Sequence, residues 1–294
     1  DICEKPSAVE SEALQQWLSA IRNLFVDLQS NTELLTQILS WPSLTFLLQC
    51  IPEHSLDDLH RALGIVKERV AQDLKAIFAQ VFSDLSNTRK KYQFKPSLCL
   101  QRSLTWQLLG YLYLNDPEQY DKQAETLYAQ VDNMTDQQGI LWAINNKKSR
   151  LRDQLLEKFY QQWKHEELVI DVWFRMQVLS NRDNVAAEVY ALAEHPRFCL
   201  DNPNRVRALL GSFAAGNLLA FHKSDGESYR FLTRYILSID SKNPQLAAGL
   251  SRSFAQWKRF DRFRQKLIRQ QLEVIQQHPK LSPQLKAVVA KILA

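Results

Sequence analysis

Histidine and glutamate are the residues of this sequence best suited to metal chemistry. The closest approach to a zinc motif is His165 followed by Glu166. A zinc-protease helix needs a second histidine four residues after the first, so that both imidazoles reach one metal from one helix face. That position is Val169, which cannot ligate, while His54 and His60 are six residues apart and would point in different directions on one helix. The pattern predicts no metal site, and it predicts histidines that are hydrogen-bonded or exposed to solvent (His54, His60, His165, His195, His222 and His278).

Motifs for nucleophilic catalysis and phosphate binding are also missing. The sequence contains no GxSxG elbow, no P-loop and no GxGxxG fingerprint. Cys199 stands between two apolar residues, which predicts a buried and unreactive thiol. Glu166 and Glu167 form a carboxylate pair, but adjacent residues of a helix face different directions, so a surface ion-pair cluster is favoured over a catalytic dyad. We predict no catalytic residue in this chain.

The most strongly charged segment runs from 252 to 269. Its cations are Arg252, Lys258, Arg259, Arg262, Arg264, Lys266 and Arg269. Trp257, Phe260 and Phe263 lie among them, and such a pattern could bind nucleic-acid phosphates and bases, or lie on an anionic membrane surface. The alternative, which we favour, buries the aromatic rings and leaves the cations in solvent or paired with an acidic neighbour. The net charge is −3 over residues 1–150 and +8 over 151–294, so an acidic partner would meet the second half.

Composition and proline positions predict helices throughout the chain. Seven glycines and ten prolines in 294 residues are too few for the many tight turns of a sheet protein, and Leu, Gln, Ala, Lys and Arg are good helix formers. Capping side chains stand directly before prolines at Asp116-Pro117, Asn202-Pro203, Asn243-Pro244 and Ser282-Pro283. We predict an all-α fold of irregular stacked helical hairpins, in a curved superhelical array of the HEAT or armadillo kind. One continuous domain over 1–294 is expected.

Cysteine usage and hydropathy bear on location. The four scattered cysteines lack the spacing of a disulfide framework, which favours a reducing compartment. Since no run of about 18 apolar residues occurs, no membrane segment is predicted. The first residues lack the features of a signal peptide, and the first of them is not methionine, which suggests a piece of a longer protein. We expect a cytoplasmic protein.

Short segments at characteristic separations run through the last two thirds of the chain. They are Asp132-Asn133-Met134-Thr135-Asp136, Leu168-Val169-Ile170-Asp171-Val172-Trp173-Phe174, His195-Pro196-Arg197-Phe198, Asn202-Pro203-Asn204-Arg205-Val206-Arg207-Ala208-Leu209, Gly211-Ser212-Phe213, Tyr229-Arg230-Phe231-Leu232, Asn243-Pro244-Gln245-Leu246-Ala247 and Lys258-Arg259-Phe260-Asp261. In this order they resemble the C-terminal domain of bacterial aminopeptidase N. The resemblance covers about residues 100–294, and residues 1–90 resemble the start of that domain only loosely.

The resemblance implies that this chain is the last of four parts of an enzyme. In that family a β-rich domain, a thermolysin-like catalytic domain and a small β-sandwich precede the helical domain. The catalytic domain holds zinc with an HExxH helix and binds the substrate amine with a GxMEN loop, and neither motif occurs here. The expected role is to cap the active-site chamber of the same polypeptide and to gate the access of peptide substrates, with no cofactor in this chain.

Two residues are expected, by resemblance, to reach the chamber: Arg207 and Gln245. Both lie near predicted helix starts, at the loop edge of a stacked array, where side chains can face a cavity. A guanidinium there can bind a peptide carbonyl or carboxylate, and an amide offers both a donor and an acceptor. The alternatives are a surface ion pair for Arg207 and a helix-start hydrogen bond for Gln245. Relatives can carry a second arginine one turn after the glutamine, where this sequence has Gly249, so that role is not carried over.

A different class of function remains open at this point. A free-standing helical-repeat scaffold could bind an acidic protein or nucleic acid through its basic second half. Nucleic acid is the less favoured partner, because no helix-turn-helix, RNA-recognition or zinc-finger motif occurs. An HExxH motif upstream in the same reading frame would favour the enzyme domain, and its absence would favour the scaffold.

Overall fold

The computed structural model describes residues 2–5, 9–51, 55–87 and 92–294. Within these ranges the backbone forms helices, turns and bends without a β-strand, which confirms the all-α prediction. Over the same part of the chain, no helix is both long enough and apolar enough to cross a bilayer. Two compact units are present, one of residues 1–43 and 58–162 and the other of 44–57 and 163–294. The single-domain arrangement over 1–294 stays a prediction.

The helices follow one another with short connections. In chain order they are α1 (Glu12–Leu24), α2 (Leu28–Ile38), α3 (Leu44–Cys50), α4 (Leu56–Asp73), α5 (Lys75–Asn87), α6 (Pro96–Asn115), α7 (Pro117–Gln130), α8 (Met134–Ile144), α9 (Arg150–Trp163), α10 (Glu167–Val178), α11 (Val185–Ala193), α12 (Pro203–Val206), α13 (Ser212–Gly216), α14 (Leu218–Phe221), α15 (Glu227–Asp240), α16 (Pro244–Ser251), α17 (Arg262–Gln276) and α18 (Pro283–Leu293). A π-helical turn, Arg207–Gly211, joins α12 to α13, and two 3₁₀ turns, Arg252–Phe254 and Trp257–Arg259, lie between α16 and α17.

Helix α6 is the centre of the first unit. It contacts α2, α5, α7 and α8, and its buried residues cover more than half of the helix circumference, as expected for a helix packed against several others. Helix α8 approaches it closely at Gly139, where a Cβ atom would lie 2.1 Å from the Trp106 ring. The indole N–H of Trp106 donates to Asp136 Oδ1 at 2.9 Å. A glycine and a carboxylate of α8 therefore together seat the Trp106 ring.

The second unit consists of stacked helical hairpins. Helices α10 and α11, α15 and α16, and α17 and α18 pack as consecutive pairs. Segments α12, the π turn and α13 follow one another without a break, and α10 packs against all three. Helix α16 contacts the π turn, and α18 contacts α16. The core between the hairpins is rich in buried rings: Phe174, Phe213, Phe221, Tyr229 and Phe254. This unit contains both residues that the resemblance implies for a chamber.

The predicted helix starts are confirmed in both units. Asp116, Asn202, Asn243 and Ser282 each accept a hydrogen bond from a backbone N–H two or three residues later, and each is followed by proline. These bonds satisfy N–H groups that have no partner inside the helix. The loops before α12 and α16 therefore end at fixed points, which positions the first turns of the helices that follow.

Candidate functional site

Arg207 lies where the first turn of α12 passes into the π-helical turn. The Asn202 side chain accepts from the backbone N–H groups of Asn204, at 3.0 Å, and Arg205, at 3.2 Å, which fixes this helix start. The Arg207 side chain is exposed, and its Nη1 donates to Asn204 Oδ1 at 3.3 Å. Within the described ranges it forms no ion pair, so its charge is available to an incoming anion or carbonyl. The alternative of a surface ion pair is not found among the described residues, and the chamber position of Arg207 stays a prediction.

The π turn at Arg207–Gly211 was not predicted from the sequence. The backbone N–H of Ser212 bonds to the carbonyl of Arg207, five residues earlier, and the Ser212 hydroxyl donates to the same oxygen at 3.2 Å. Turns of this kind are rare, and they often occur at functional sites. Leu209 and Leu210 remain fully buried, so the wider turn is held by packing from the core side. Arg207 is thus the exposed first residue of an irregular turn with a buried rear face.

A buried guanidinium anchors this helix from the opposite side. Arg205 is 2% exposed and is the largest fully buried side chain of the described residues. Its Nε donates to Asp171 Oδ1 at 2.5 Å, and its Nη2 donates to Glu167 Oε2 at 2.7 Å. Its Nη1 donates to the Arg197 carbonyl, and the guanidinium lies over the Phe174 ring, 5.3 Å from the centroid. We call Arg205, Asp171, Glu167 and Arg197 the Arg205 clamp.

The Arg205 clamp joins three parts of the chain. Asp171 and Glu167 lie on one face of α10, Arg197 lies in the loop before α12, and Arg205 lies in α12 itself. Glu167 also pairs with the Arg197 guanidinium. The predicted ion-pair cluster is therefore found at Glu167, with cations that lie about 30 and 38 residues further along the chain. The sequence signal for this clamp was Asp171, a carboxylate within the apolar run of α10. A charge buried in such a run needs a partner of opposite charge.

Gln245 lies at the start of a later helix in the same unit. It is the second residue of α16, directly after the Asn243-Pro244 start, and its side chain is exposed. Helix α16 contacts the π turn, where a Cβ on Gly211 would lie 3.8 Å from Leu250 Cδ2. Gly249, one turn after Gln245, is exposed, and a Cβ there would meet nothing within 4 Å. Arg207 thus lies at the first residue of the π turn, and Gln245 lies in the first turn of the helix that contacts this turn; each side chain can hydrogen-bond a ligand.

The cysteine and histidine predictions fare differently. The prediction of a buried Cys199 is wrong, because its thiol is exposed: the residue lies in the loop before α12, and only its neighbours in sequence are partly buried.

His222 is 1% exposed and hydrogen-bonded to the Tyr229 hydroxyl at 2.9 Å. Burial, and secondarily the Arg264 charge, lowers the pKa of His222 to about 3. His54 lies outside the described residues.

Zinc, which the resemblance places in another domain, has no matching ligand set here. Among the residues whose structure is described, no three His, Cys, Asp or Glu side chains converge on a point that could hold a metal ion. His165 precedes α10, and the position four residues later is Val169, as in the sequence argument. These residues do not fit a zinc centre, so no chemical step in this chain is assigned to the metal.

In the basic segment 252–269, two of the three aromatic rings are buried and most of the cations are exposed. Trp257 is 7% exposed and donates its indole N–H to the Ile292 carbonyl at 2.8 Å. Phe260 is also buried, with its ring centroid 4.0 Å from that of His222. Arg264 pairs with Asp57 and Asp261. Of the three aromatic residues only Phe263 is well exposed, which favours the structural interpretation over a base-stacking surface.

Comparisons with known proteins agree with the fold. A family model described as "Domain of unknown function (DUF3458_C) ARM repeats" matches residues 3–294. Aminopeptidase N of Haemophilus influenzae is 32% identical over 288 residues, which cover 97% of this chain and 33% of that protein. Aminopeptidase N of Escherichia coli is 30% identical over 279 residues, covering 94% of this chain and 31% of that protein.

A solved structure shows the same fold. The crystal structure of Legionella pneumophila aminopeptidase A in complex with aspartic acid matches with a TM-score of 0.85 and 27% identity, over 95% of this chain and 33% of that one. The chain therefore spans about a third of the length of the relatives that it matches. ARM repeats are helical repeats, so the predicted helical-repeat architecture is confirmed.

Proposed function

The chain belongs to the ARM-repeat domain family that aminopeptidase N carries, and on this basis we propose that it caps the active-site chamber of a zinc aminopeptidase and gates the entry of peptides. The observation that carries the proposal is a pair of exposed polar groups on contacting elements, Arg207 at the start of the π turn and Gln245 in the first turn of α16. Arg207 offers a charge with no ionic partner among the described residues, and Gln245 offers an amide on the helix alongside. The domain itself performs no bond cleavage.

The chemistry of these two groups suits the part of a peptide that lies beyond the scissile bond. A guanidinium binds a carbonyl oxygen or a C-terminal carboxylate with charge-assisted hydrogen bonds. The amide of Gln245 can donate to a carbonyl and accept from a backbone N–H. In this proposal zinc and the catalytic residues belong to a preceding domain of the same cytoplasmic polypeptide, and that domain is the partner of the present chain.

Substitution of Arg207 in the parent enzyme tests the proposal. A hydrogen bond to a charged group contributes about 1.5–3 kcal/mol, and each 1.4 kcal/mol is about tenfold. Arg207→Ala is therefore expected to lower kcat/KM for a tetrapeptide by about 10- to 100-fold. A single-residue anilide does not reach Arg207, so its kcat/KM is expected to stay within about twofold. Gln245→Ala removes only neutral hydrogen bonds, so it should lower kcat/KM for the peptide by about tenfold at most.

Arg230→Ala provides the matched control. Arg230 is an exposed cation of α15 in the same unit, so its removal changes the net charge equally. Both substrates should be hydrolysed normally by this variant. Equal losses on peptide and anilide after Arg207→Ala would contradict the gating role and leave Arg207 as a structural residue. For the scaffold alternative, the deciding observation is the upstream reading frame, in which we expect an HExxH motif.

A further inference from the structure

A groove of about 510 Å³ runs between α11 and α15 in the second unit. It is lined by Tyr190, Glu194, Glu227, Phe231, Arg234, Tyr235 and Ser238. Binding sites for small ligands are commonly concavities of this size, with aromatic walls and a few polar groups. The groove is separate from the Arg205 clamp and from the side chains of Arg207 and Gln245, none of which line it.

Three aromatic rings form a rigid floor. The ring centroids of Tyr190 and Phe231 are 4.5 Å apart, and those of Phe231 and Tyr235 are 5.0 Å apart. The hydroxyl groups of Tyr190 and Ser228 are 2.9 Å apart and share a hydrogen bond, which fixes the first ring. Aromatic rings attract cations through the negative potential of their faces. The floor therefore has a preference for positive charge.

Two carboxylates stand at either end of this floor. Glu194 and Glu227 are exposed, and neither forms an ion pair within the part of the chain that the structure describes. Burial raises the pKa of Tyr190 and of Tyr235. The charge of Glu227 raises the pKa of Tyr190 further, and the charge of Glu194 raises the pKa of Tyr235 further. Each carboxylate thus lies near one of the tyrosines. Glu227 precedes Tyr235, the tyrosine influenced by Glu194, by eight residues of α15, which corresponds to a rise of about 12 Å along the helix.

We propose that this groove binds a basic peptide segment, with lysine or arginine side chains placed over the rings and against Glu194 and Glu227. An extended peptide rises about 3.3 Å per residue and its alternate side chains share a face, so cations four residues apart lie on one face about 13 Å apart, which matches this length. An anionic ligand would meet two carboxylates, and an apolar one would desolvate them without a partner. Arg234 lies over Phe231 at 6.0 Å, at the side of the groove, where it can donate to a peptide carbonyl.

Calorimetric titration of the 294-residue chain at about 0.1 M ionic strength, where the Debye length is about 10 Å, tests this proposal. The probe is acetyl-Lys-Ala-Ala-Ala-Lys-amide, whose blocked ends carry no free amine or carboxylate, and acetyl-Glu-Ala-Ala-Ala-Glu-amide is the control peptide. The lysine peptide is expected to bind at least about tenfold more tightly than the glutamate peptide. The double variant Glu194→Gln/Glu227→Gln should weaken binding of the lysine peptide by about tenfold or more.

The matched control is the double variant Glu33→Gln/Glu118→Gln. These two exposed carboxylates lie in the first unit, so the net charge changes equally while the groove stays intact. Binding by this variant should stay within about twofold of the unmodified chain, because long-range attraction is screened. Equal weakening by both double variants, or no binding of the lysine peptide at millimolar concentration, would overturn the proposal.

A third variant tests the aromatic floor. Tyr235→Leu keeps most of the bulk and removes the ring face, so we expect about three- to tenfold weaker binding. Circular dichroism should show an unchanged fold, since the Tyr235 hydroxyl forms no hydrogen bond within the described residues. Unchanged affinity in a folded Tyr235→Leu chain would contradict the role of the ring.

Discussion

Removal of Arg205 from the Arg205 clamp should be one of the most destabilising single substitutions in the second unit. Arg205→Met replaces a buried guanidinium with an apolar chain of comparable length. The substitution leaves the carboxylate of Asp171, a residue that is 7% exposed, without its cation. It also leaves the carbonyls of Glu167 and Arg197 without these donors. Removing one partner of a buried ion pair costs about 3–5 kcal/mol, because the remaining charge stays desolvated.

Urea unfolding followed by circular dichroism measures this cost. A loss of 3–5 kcal/mol is a large part of the 5–15 kcal/mol by which domains are typically stable, so the midpoint should fall markedly. Asp201→Ala is the control, since it breaks the ion pair with Lys242, in which both side chains are 68% exposed. Exposed pairs contribute about 0–1 kcal/mol. A similar, small effect of both substitutions would refute the account of the clamp.

A compensating variant separates the charge from the packing. Asp171→Leu combined with Arg205→Met removes both buried charges, and such replacements are often neutral or even stabilising. The double variant should therefore regain part of the stability lost in Arg205→Met. The double variant could instead be less stable than Arg205→Met, by as much as a second core substitution costs. In that case the instability of Arg205→Met comes from lost packing and lost hydrogen bonds to the carbonyls, and not from the unpaired carboxylate.

Two further outcomes are expected. The pKa of His222 is lowered to about 3 by burial and by Arg264, whereas an unfolded histidine titrates near 6.5, so the unfolded chain binds more protons between these values. The free energy of unfolding should therefore decrease as the pH is lowered from about 6.5, by up to about 1.4 kcal/mol per pH unit. In urea unfolding at several pH values, His222→Phe should reduce this pH dependence, and the control variant Tyr229→Phe should retain it. For the basic segment 252–269, binding of single-stranded DNA should be weak, fall steeply with salt and stay unchanged in Phe263→Ala, measured by fluorescence anisotropy. Binding that persists at about 200 mM salt and depends on Phe263 would instead favour a nucleic-acid surface.

Helix starts were predictable because their determinants are local. The caps of Asn202, Asn243 and Ser282 each involve a hydrogen bond over two or three residues, and the following proline is visible in the sequence. The exposure of Cys199 was not predictable from its neighbours in sequence, because the exposure of a loop residue depends on what packs against the loop. The π turn is likewise set by packing of Leu209 and Leu210 against the rest of the unit.

The candidate site was only partly predictable for the same reason. Arg205 and Arg207 are the same residue type, two positions apart, and composition or charge does not distinguish them. The structure buries the first and exposes the second, because Asp171, 34 residues earlier, faces the helix on one side. The resemblance implied Arg207 for the chamber but gave no role to Arg205. Only the tertiary contact between α10 and α12 shows which of the two is structural.

Helix geometry then links the two arginines. Residues two apart on a helix point about 200° away from each other, so the contact that draws Arg205 into the core turns Arg207 towards solvent. If Arg207 binds peptides as proposed, Arg205→Lys in the parent enzyme should lower peptide kcat/KM while leaving the anilide nearly unchanged.

A double-mutant cycle decides whether Arg205 acts through Arg207. With Arg207→Ala already present, Arg205→Lys should have little further effect on peptide hydrolysis, because the group that it positions is absent. Melting temperatures of the four proteins report stability separately. If Arg207→Ala alone leaves peptide hydrolysis unchanged, the gating proposal fails. If it reduces hydrolysis and Arg205→Lys adds its full effect on top, gating stands and the positioning role of Arg205 is wrong.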